Sequence, residues 1–167
     1  LVSAYDLHYD KVRPPFDFPS LIFLDSGGYE ASKDAELSDL GDRDHHPKDW
    51  TQEMHEATLA KWQPSVPSVL ISYDHPKARV GFSEQIERAR AMAPGRTGFL
   101  RELLLKPEKE TQTRLHFDDL LRHVHRLAEF DIIGVTEKES GSSLVDRMKN
   151  IAKLRRTLTA AGIDIPI

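Results

Sequence analysis

The sequence predicts an α/β fold with parallel strands, of the (β/α) TIM-type barrel kind, and three observations lead there. Short apolar runs alternate with helical patterns along the chain, which is how strands and crossover helices alternate in parallel sheets. The residues closing the apolar runs, Asp74, Lys106 and Glu137, are spaced at about thirty residues, the length of one strand–helix unit, and Ile167 follows at a similar interval. Polar groups stand at the carboxyl ends of successive runs, where barrel enzymes place their chemistry. A doubly wound sheet satisfies the first two observations equally. The third favours the barrel.

The chain has 167 residues, the length of one ordinary domain, and the expected organisation is a single barrel domain over 1–167. A complete barrel takes about 250 residues, so this is expected to be an incomplete one. The chain opens on Leu1-Val2 without a methionine and stops in Ile165-Pro166-Ile167, an apolar run with the look of a strand just starting. Both ends fit that expectation.

Taken in order, residues 1–20 hold Pro14, Pro15 and Pro19 among aromatics, which suits an irregular lead-in rather than a helix. Leu21 to Leu24 is a buried-strand pattern that runs into Asp25-Ser26-Gly27-Gly28. Residues 31–47 are acidic and without period, and read as a long exposed loop. Asp49 to Trp62 is helical by pattern, with Trp50, Met54, Ala57 and Lys61 on one face and Pro64 as its stop. Ser68 to Tyr73 is the second strand, ended by Asp74 and broken by His75-Pro76. Ser83 reads as the N-cap of a helix to about Ala93, with Pro94-Gly95 after it. Phe99 to Leu105 is the third apolar run, interrupted by Arg101 and Glu102. Phe117 to Glu129 is a helix with Leu120, Leu121, Val124, Leu127 and Ala128 on its apolar face. Phe130 to Val135 is the next strand. A helix from Ser142 to Ala161 follows, with Leu144, Val145, Met148, Ile151, Ala152, Arg155 and Leu158 as its stripe and Gly162 as its stop. Ile163 to Ile167 opens one more strand.

Composition limits the function classes. With 39% hydrophobic and 30% charged residues the chain is an ordinary globular domain, and a net charge of −4 argues against a surface given over wholly to nucleic acid. There is no cysteine, which excludes disulfides, thiolate nucleophiles and thiolate zinc sites within these residues. No apolar run approaches the roughly 20 residues of a membrane helix, and a cytoplasmic location is expected.

If the strands are parallel neighbours, Asp25, Asp74 and Glu137 share one rim and converge. Carboxylates brought together raise one another's pKa, so one can donate a proton while another stays charged. The same set suits a magnesium site or recognition of donor groups on a polar ligand, and strand-end acids also simply cap helices or pair with cations. Gly27 and Gly28 could shape a pocket floor, or only a turn. Ser142 and Ser143, before the last helix, suit an anion site or an ordinary N-cap. His45-His46 and the pair His123 and His125 lack metal-ligand spacing, so no metal site is expected in these residues. The basic face of Arg147, Lys149, Lys153, Arg155 and Arg156 is a solvated face or a nucleic-acid backbone contact.

Asp25-Ser26-Gly27-Gly28-Tyr29-Glu30 resembles the D-S-G-G-F-Q motif of tRNA-guanine transglycosylases, barrel enzymes of the queuosine pathway of tRNA modification. Ser72-Tyr73-Asp74-His75-Pro76 is similar to the family's second acidic strand end. Ile133-Gly134-Val135-Thr136-Glu137 resembles its V-G-G-L strand and loop. The resemblance implies a pentosyltransferase that exchanges guanine for a 7-deazaguanine base at C1′ in tRNA or DNA. It implies Asp25 as the catalytic or base-contacting acid, Ser26, Gly27, Gly28 and Asp74 around the base, Tyr29 stacking on it, and Gly134 admitting it. Glu137, Ser142 and Ser143 would be outer residues or an anion site. The family's nucleophilic aspartate and its zinc-binding cysteines would lie beyond Ile167, so no nucleophile and no cofactor is assigned within this chain. Where the family has Gln-Gln-Gly, this chain carries Leu104-Leu105-Lys106. Two alternatives stand beside this reading: a different barrel enzyme with Asp25, Asp74 and Glu137 as metal ligands, and a catalytically degenerate binding subunit of a homo- or heterodimer.

Overall fold

A computed structural model describes residues 1–31, 48–74, 79–92 and 98–167. Most of the acidic loop, His45-His46, His75-Pro76 and Pro94-Gly95 lie outside the described residues. Five strands form one sheet in the order of the chain: β1 (Val2–Ser3), β2 (Ile22–Asp25), β3 (Ser68–Ile71), β4 (Phe99–Leu105) and β5 (Ile132–Val135). Every neighbouring pair is parallel. Between and after them run α1 (Ala4–His8), α2 (Gln52–Lys61), α3 (Phe82–Ala91), α4 (Phe117–Leu121), α5 (Val124–Leu127), α6 (Glu137–Ser140) and α7 (Leu144–Ala160). The expected alternation of strand and helix is present. Beyond α7 the chain is extended, and the Ile133 amide donates to the Pro166 carbonyl at 3.0 Å, so the last residues lie beside β5.

Register shows which face of the sheet is covered. Leu24 pairs with Leu70, and Leu103 with Ile133. Because successive side chains alternate across a strand, Ile22, Leu24, Leu70, Leu103, Leu105 and Ile133 share one face. All six are buried among helix residues, in two clusters. One gathers α3, α4, α5 and α7 over β4 and β5, through Ile86, Leu120, Leu127, Leu154 and Leu158. The other gathers α1 and α2 over β2 and β3, through Tyr5, Leu59, Trp50 and Trp62. The opposite face carries Phe23, Asp25, Val69, Leu100, Glu102, Leu104 and Gly134.

Five local expectations change. Residues 2–8 are ordered as β1 and α1, with the Ser3 hydroxyl accepting from the Asp6 amide, because the prolines begin only at Pro14 and Tyr5 is fully buried. On α2 the buried face is His55, Thr58 and Leu59, continued by Trp62, whereas Ala57 and Lys61 are exposed. On α7 the buried residues are Leu154 and Leu158, while Leu144, Val145 and Met148 are exposed. Gly81, not Ser83, caps α3; the first helical amide, that of Phe82, donates to Glu108 Oε1 at 3.1 Å, and Ser83 instead accepts from Arg126. The helix expected over 117–129 is broken into α4 and α5 at Arg122-His123.

Candidate functional site

The carboxyl ends of β2, β3 and β4 deliver polar side chains to one edge of the sheet. Asp25 ends β2, Asp74 follows β3 and Lys106 follows β4. After Asp25 the chain turns sharply. The Gly27 amide donates to Asp25 Oδ2 at 3.2 Å and the Gly28 amide to Ser26 Oγ at 3.4 Å, so the acid and the hydroxyl each satisfy the amide two residues on. Gly27 has φ +79°, and a Cβ there would lie 2.5 Å from Tyr5 Cβ, so both conformation and space require glycine.

Ser26 is 1% exposed and its hydroxyl donates to Asp74 Oδ1, which ties the β2 turn to the end of β3. A Cβ at Gly28 would come 2.5 Å from the Asp74 carbonyl oxygen and 2.8 Å from its Oδ1. Gly28 therefore makes the room that Asp74 fills. Trp50 holds the turn from behind, its indole N–H donating to the Ser26 carbonyl at 2.8 Å, and Tyr73 in turn donates to the Trp50 carbonyl at 3.0 Å.

The charge of Asp25 is felt by Glu102, and that of Asp74 by Asp25. Burial raises the pKa of the Asp25 carboxyl; hydrogen bonds from the Gly27 and Ser26 amides and the charge of Lys106 oppose this, and the charge of Asp74 adds to it. Burial and the charge of Asp25 likewise raise Glu102. Burial, then the charge of Asp74, pushes Tyr73 up to about 12. In the sequence Glu102 reads only as an interruption of an apolar run. Its position in register with Ile71, one residue pair from Gly134 on the same face, is the signal that finds it. A Cβ at Gly134 would collide with Glu102 Oε1, so the space Gly134 leaves is occupied by that carboxylate rather than open to a ligand.

Lys106 is the hub of the edge. Its ammonium lies 3.0 Å from Asp74 Oδ2 and 3.3 Å from Glu139 Oε2, and Glu139 Oε1 accepts from Arg79 Nη2 at 3.2 Å. The third rim acid is thus Glu139, not Glu137. Glu137 sits at the start of α6, is 78% exposed at its side chain and pairs with Arg147. Two residues further round that short turn, Glu139 points to the sheet edge and also accepts from Thr136 at 2.5 Å. Ser142 and Ser143 cap α7: both hydroxyls donate to Asp146 Oδ2, and Ser143 Oγ accepts from the Asp146 amide at 3.2 Å. The helix terminus is filled by the chain's own carboxylate, which argues for the capping role. Tyr29 is 47% exposed at the margin of the turn.

A small pocket of about 30 Å³ opens beside Asp74 and Lys106, with Tyr73, Arg79, Gln85 and Arg88 also in its wall. Gln85 braces it, donating to the Val80 and Lys106 carbonyls at 2.8 and 2.9 Å and accepting from the Lys106 amide at 3.0 Å. Among the described residues no group of three or more His, Cys, Asp or Glu side chains is placed to hold a metal ion, and no helix is long and apolar enough to cross a membrane. No family model matches the chain, and no curated protein or solved structure matches it.

Proposed function

We propose that the chain is a sector of a (β/α) barrel and that its carboxyl-end edge handles a guanine or 7-deazaguanine base of tRNA or DNA, in the manner of a transglycosylase. The barrel reading is supported by strands that follow chain order without reversal and by helix-packed residues on a single face of the sheet. A doubly wound sheet would reverse its order at a switch point and carry helices on both faces.

The observation that carries the functional reading is that Asp25 and Asp74 stand at the same edge of the sheet, with the Ser26 hydroxyl of the Asp25 turn donating to Asp74. A purine-like base presents ring N–H and amino donors along one edge, and a carboxylate that only accepts is their natural partner. Asp25, with its pKa raised, keeps a proton to higher pH than an ordinary aspartic acid, which suits a group that exchanges a proton with a ring nitrogen. The carboxylate that would attack C1′ in a base exchange is not assigned to any residue of this chain. A second reading, a base-binding subunit without exchange activity, draws on Lys106, which engages the Asp74 oxygen that Ser26 leaves.

Calorimetric titration with guanine and with 7-deazaguanine tests the proposal. Binding is expected, weakened about tenfold or more by Asp25→Asn and by Asp74→Asn, since each removes a charge-assisted hydrogen bond. Absence of binding to the unaltered chain, or unchanged affinity in both variants, would overturn it. Base exchange into tRNA or DNA then separates the first reading from the second.

A further inference from the structure

Helix α7 carries more apolar surface than the core uses. At about 3.6 residues per turn, Leu154 and Leu158 lie on its buried side, while Leu144 and Met148 lie on a line further round, with Val145 and Ala152 beyond them. On one flank the helix is covered: α4 belongs to the same core cluster, and Lys153 pairs with Asp118 of α4. On the opposite flank Leu144, Val145 and Met148 are 68%, 57% and 65% exposed. Three large apolar side chains within two turns of one helix form a patch, and exposed patches mark interaction sites where scattered residues do not.

The patch continues into a groove. Arg147, Met148, Ile151, Ala152, Arg155 and Ile167 line an open depression of about 570 Å³ between α7 and the extended residues 163–167. Ile151 and Ile167 are half-buried and packed on the aliphatic core, so the groove extends that core outward.

Charge decides what fits there. Helix α7 holds five cations, Arg147, Lys149, Lys153, Arg155 and Arg156, against one acid, Asp146. Arg147 pairs with Glu137 and Lys153 with Asp118, and Asp146 accepts from the Ser142 and Ser143 hydroxyls. Arg155 stands in the groove wall, and helical spacing puts Lys149 and Arg156 just outside Val145 and Ala152. The groove is apolar with a cationic border. Two copies joined through α7 about a two-fold axis would set these cations against one another. A membrane surface takes an apolar face that protrudes, whereas Ile151 and Ile167 are set back between α7 and the end of the chain.

We propose that this flank of α7 docks an amphipathic helix of a separate protein, with its apolar stripe in the groove and Asp or Glu along the side that meets Lys149, Arg155 and Arg156. A helix fits better than a strand because Leu144, Met148 and Ala152, spaced by four, form a ridge of the kind against which another helix packs. Met148, unbranched and polarizable, adapts to the incoming side chains. The proposal stands without the base-handling reading.

Fluorescence anisotropy of a labelled synthetic helix tests it, using the full chain and a peptide with Leu at alternating spacings of three and four and Glu on its margins. This helix is expected to bind, and the same helix with Lys in place of Glu to bind about tenfold or more weaker. Met148→Glu and, separately, Arg155→Glu are each expected to weaken the Glu-bearing helix about tenfold or more, and Arg155→Glu to narrow the gap between the two peptides. Circular dichroism checks that the variants fold, and Leu144→Ser carries the comparison if Met148→Glu does not. No binding of the Glu-bearing helix up to about 1 mM, equal binding of the two peptides, or unchanged affinity in the folded variants would overturn the proposal. So would a chain that binds phosphatidylserine vesicles through Met148 but no helix, or a dimer in sedimentation that Met148→Glu abolishes.

Discussion

The two halves of the sheet are covered by different kinds of core. Over β4 and β5 the core is aliphatic with three phenylalanines, Phe82, Phe117 and Phe130, and none of its side chains carries a polar tip. Over β2 and β3 it is built from Tyr5, Trp50 and Trp62, each of which is buried and hydrogen-bonded. Tyr5 accepts from the Lys48 amide at 2.8 Å, Trp50 donates to the Ser26 carbonyl and Trp62 to Ser68 Oγ at 3.2 Å. Apolar packing is non-directional, whereas an aromatic with a polar tip fixes both a contact and a direction. The aromatic half is the one that positions the Asp25 turn. The aliphatic half supplies Glu102 from β4, Lys106 just after it, Glu139 after β5 and the bracing Gln85 from α3, and otherwise acts as support.

Three measurements break or sharpen this contrast. The largest effect is expected from Leu103→Ala, which empties a fully buried site in the aliphatic half and should cost about 2–5 kcal/mol in urea unfolding. If the halves divide the work as described, the folded variant binds base as the parent does. Altered affinity in the folded variant would mean that the aliphatic half also sets the geometry of the edge.

The next effect concerns acid. His55 is 1% exposed and lies between Trp50 and Tyr73. Burial lowers its pKa from 6.5 to about 4, opposed by the charge of Asp74 and by a backbone hydrogen bond at Ile71. The unfolded chain then binds more protons between those values, so stability falls as pH drops from 6.5 towards 4, by about 3 kcal/mol in all. His55→Phe should remove that part of the acid sensitivity. An unchanged pH profile would show that the aromatic half does not carry it.

The smallest effect has the opposite sign. Asp25 is raised by burial, so its charged form costs stability above its folded pKa and that cost disappears as pH falls through it. Asp25→Asn is expected to raise the melting temperature slightly at neutral pH, with the gain fading on acidification. A loss of stability at pH 7 would mean that the carboxylate's bonds from the Gly27 and Ser26 amides outweigh its burial.

Much of the sheet was legible in the sequence, because Ser68–Ile71, Phe99–Leu105 and Ile132–Val135 are apolar runs bounded by breakers, and burial of a strand requires just that pattern. The turn at Asp25 was legible for a similar local reason, since acid, hydroxyl and paired glycines each have a backbone task. What could not be read depends on phase. On α2 the inward face is disguised by His55 and Thr58, polar residues that the aromatic half accepts. Glu137 and Glu139 differ by two positions on a short helix that no periodicity announces, and only the fold decides which one meets Lys106. Arg79 follows a proline-broken strand end with nothing local to mark it as buried.

The strand order has a kinetic consequence as well. Each strand pairs with the one before it in the chain, so joining β3 to β4, or β4 to β5, closes a loop of only about thirty residues. Loop-closure entropy rises slowly with length, and topologies made of near-neighbour pairings reach their contacts sooner than those that join distant segments. No pairing in this sheet has to wait for another to form first. Growth can begin at β4, the longest strand, and extend outward in both directions one strand–helix unit at a time.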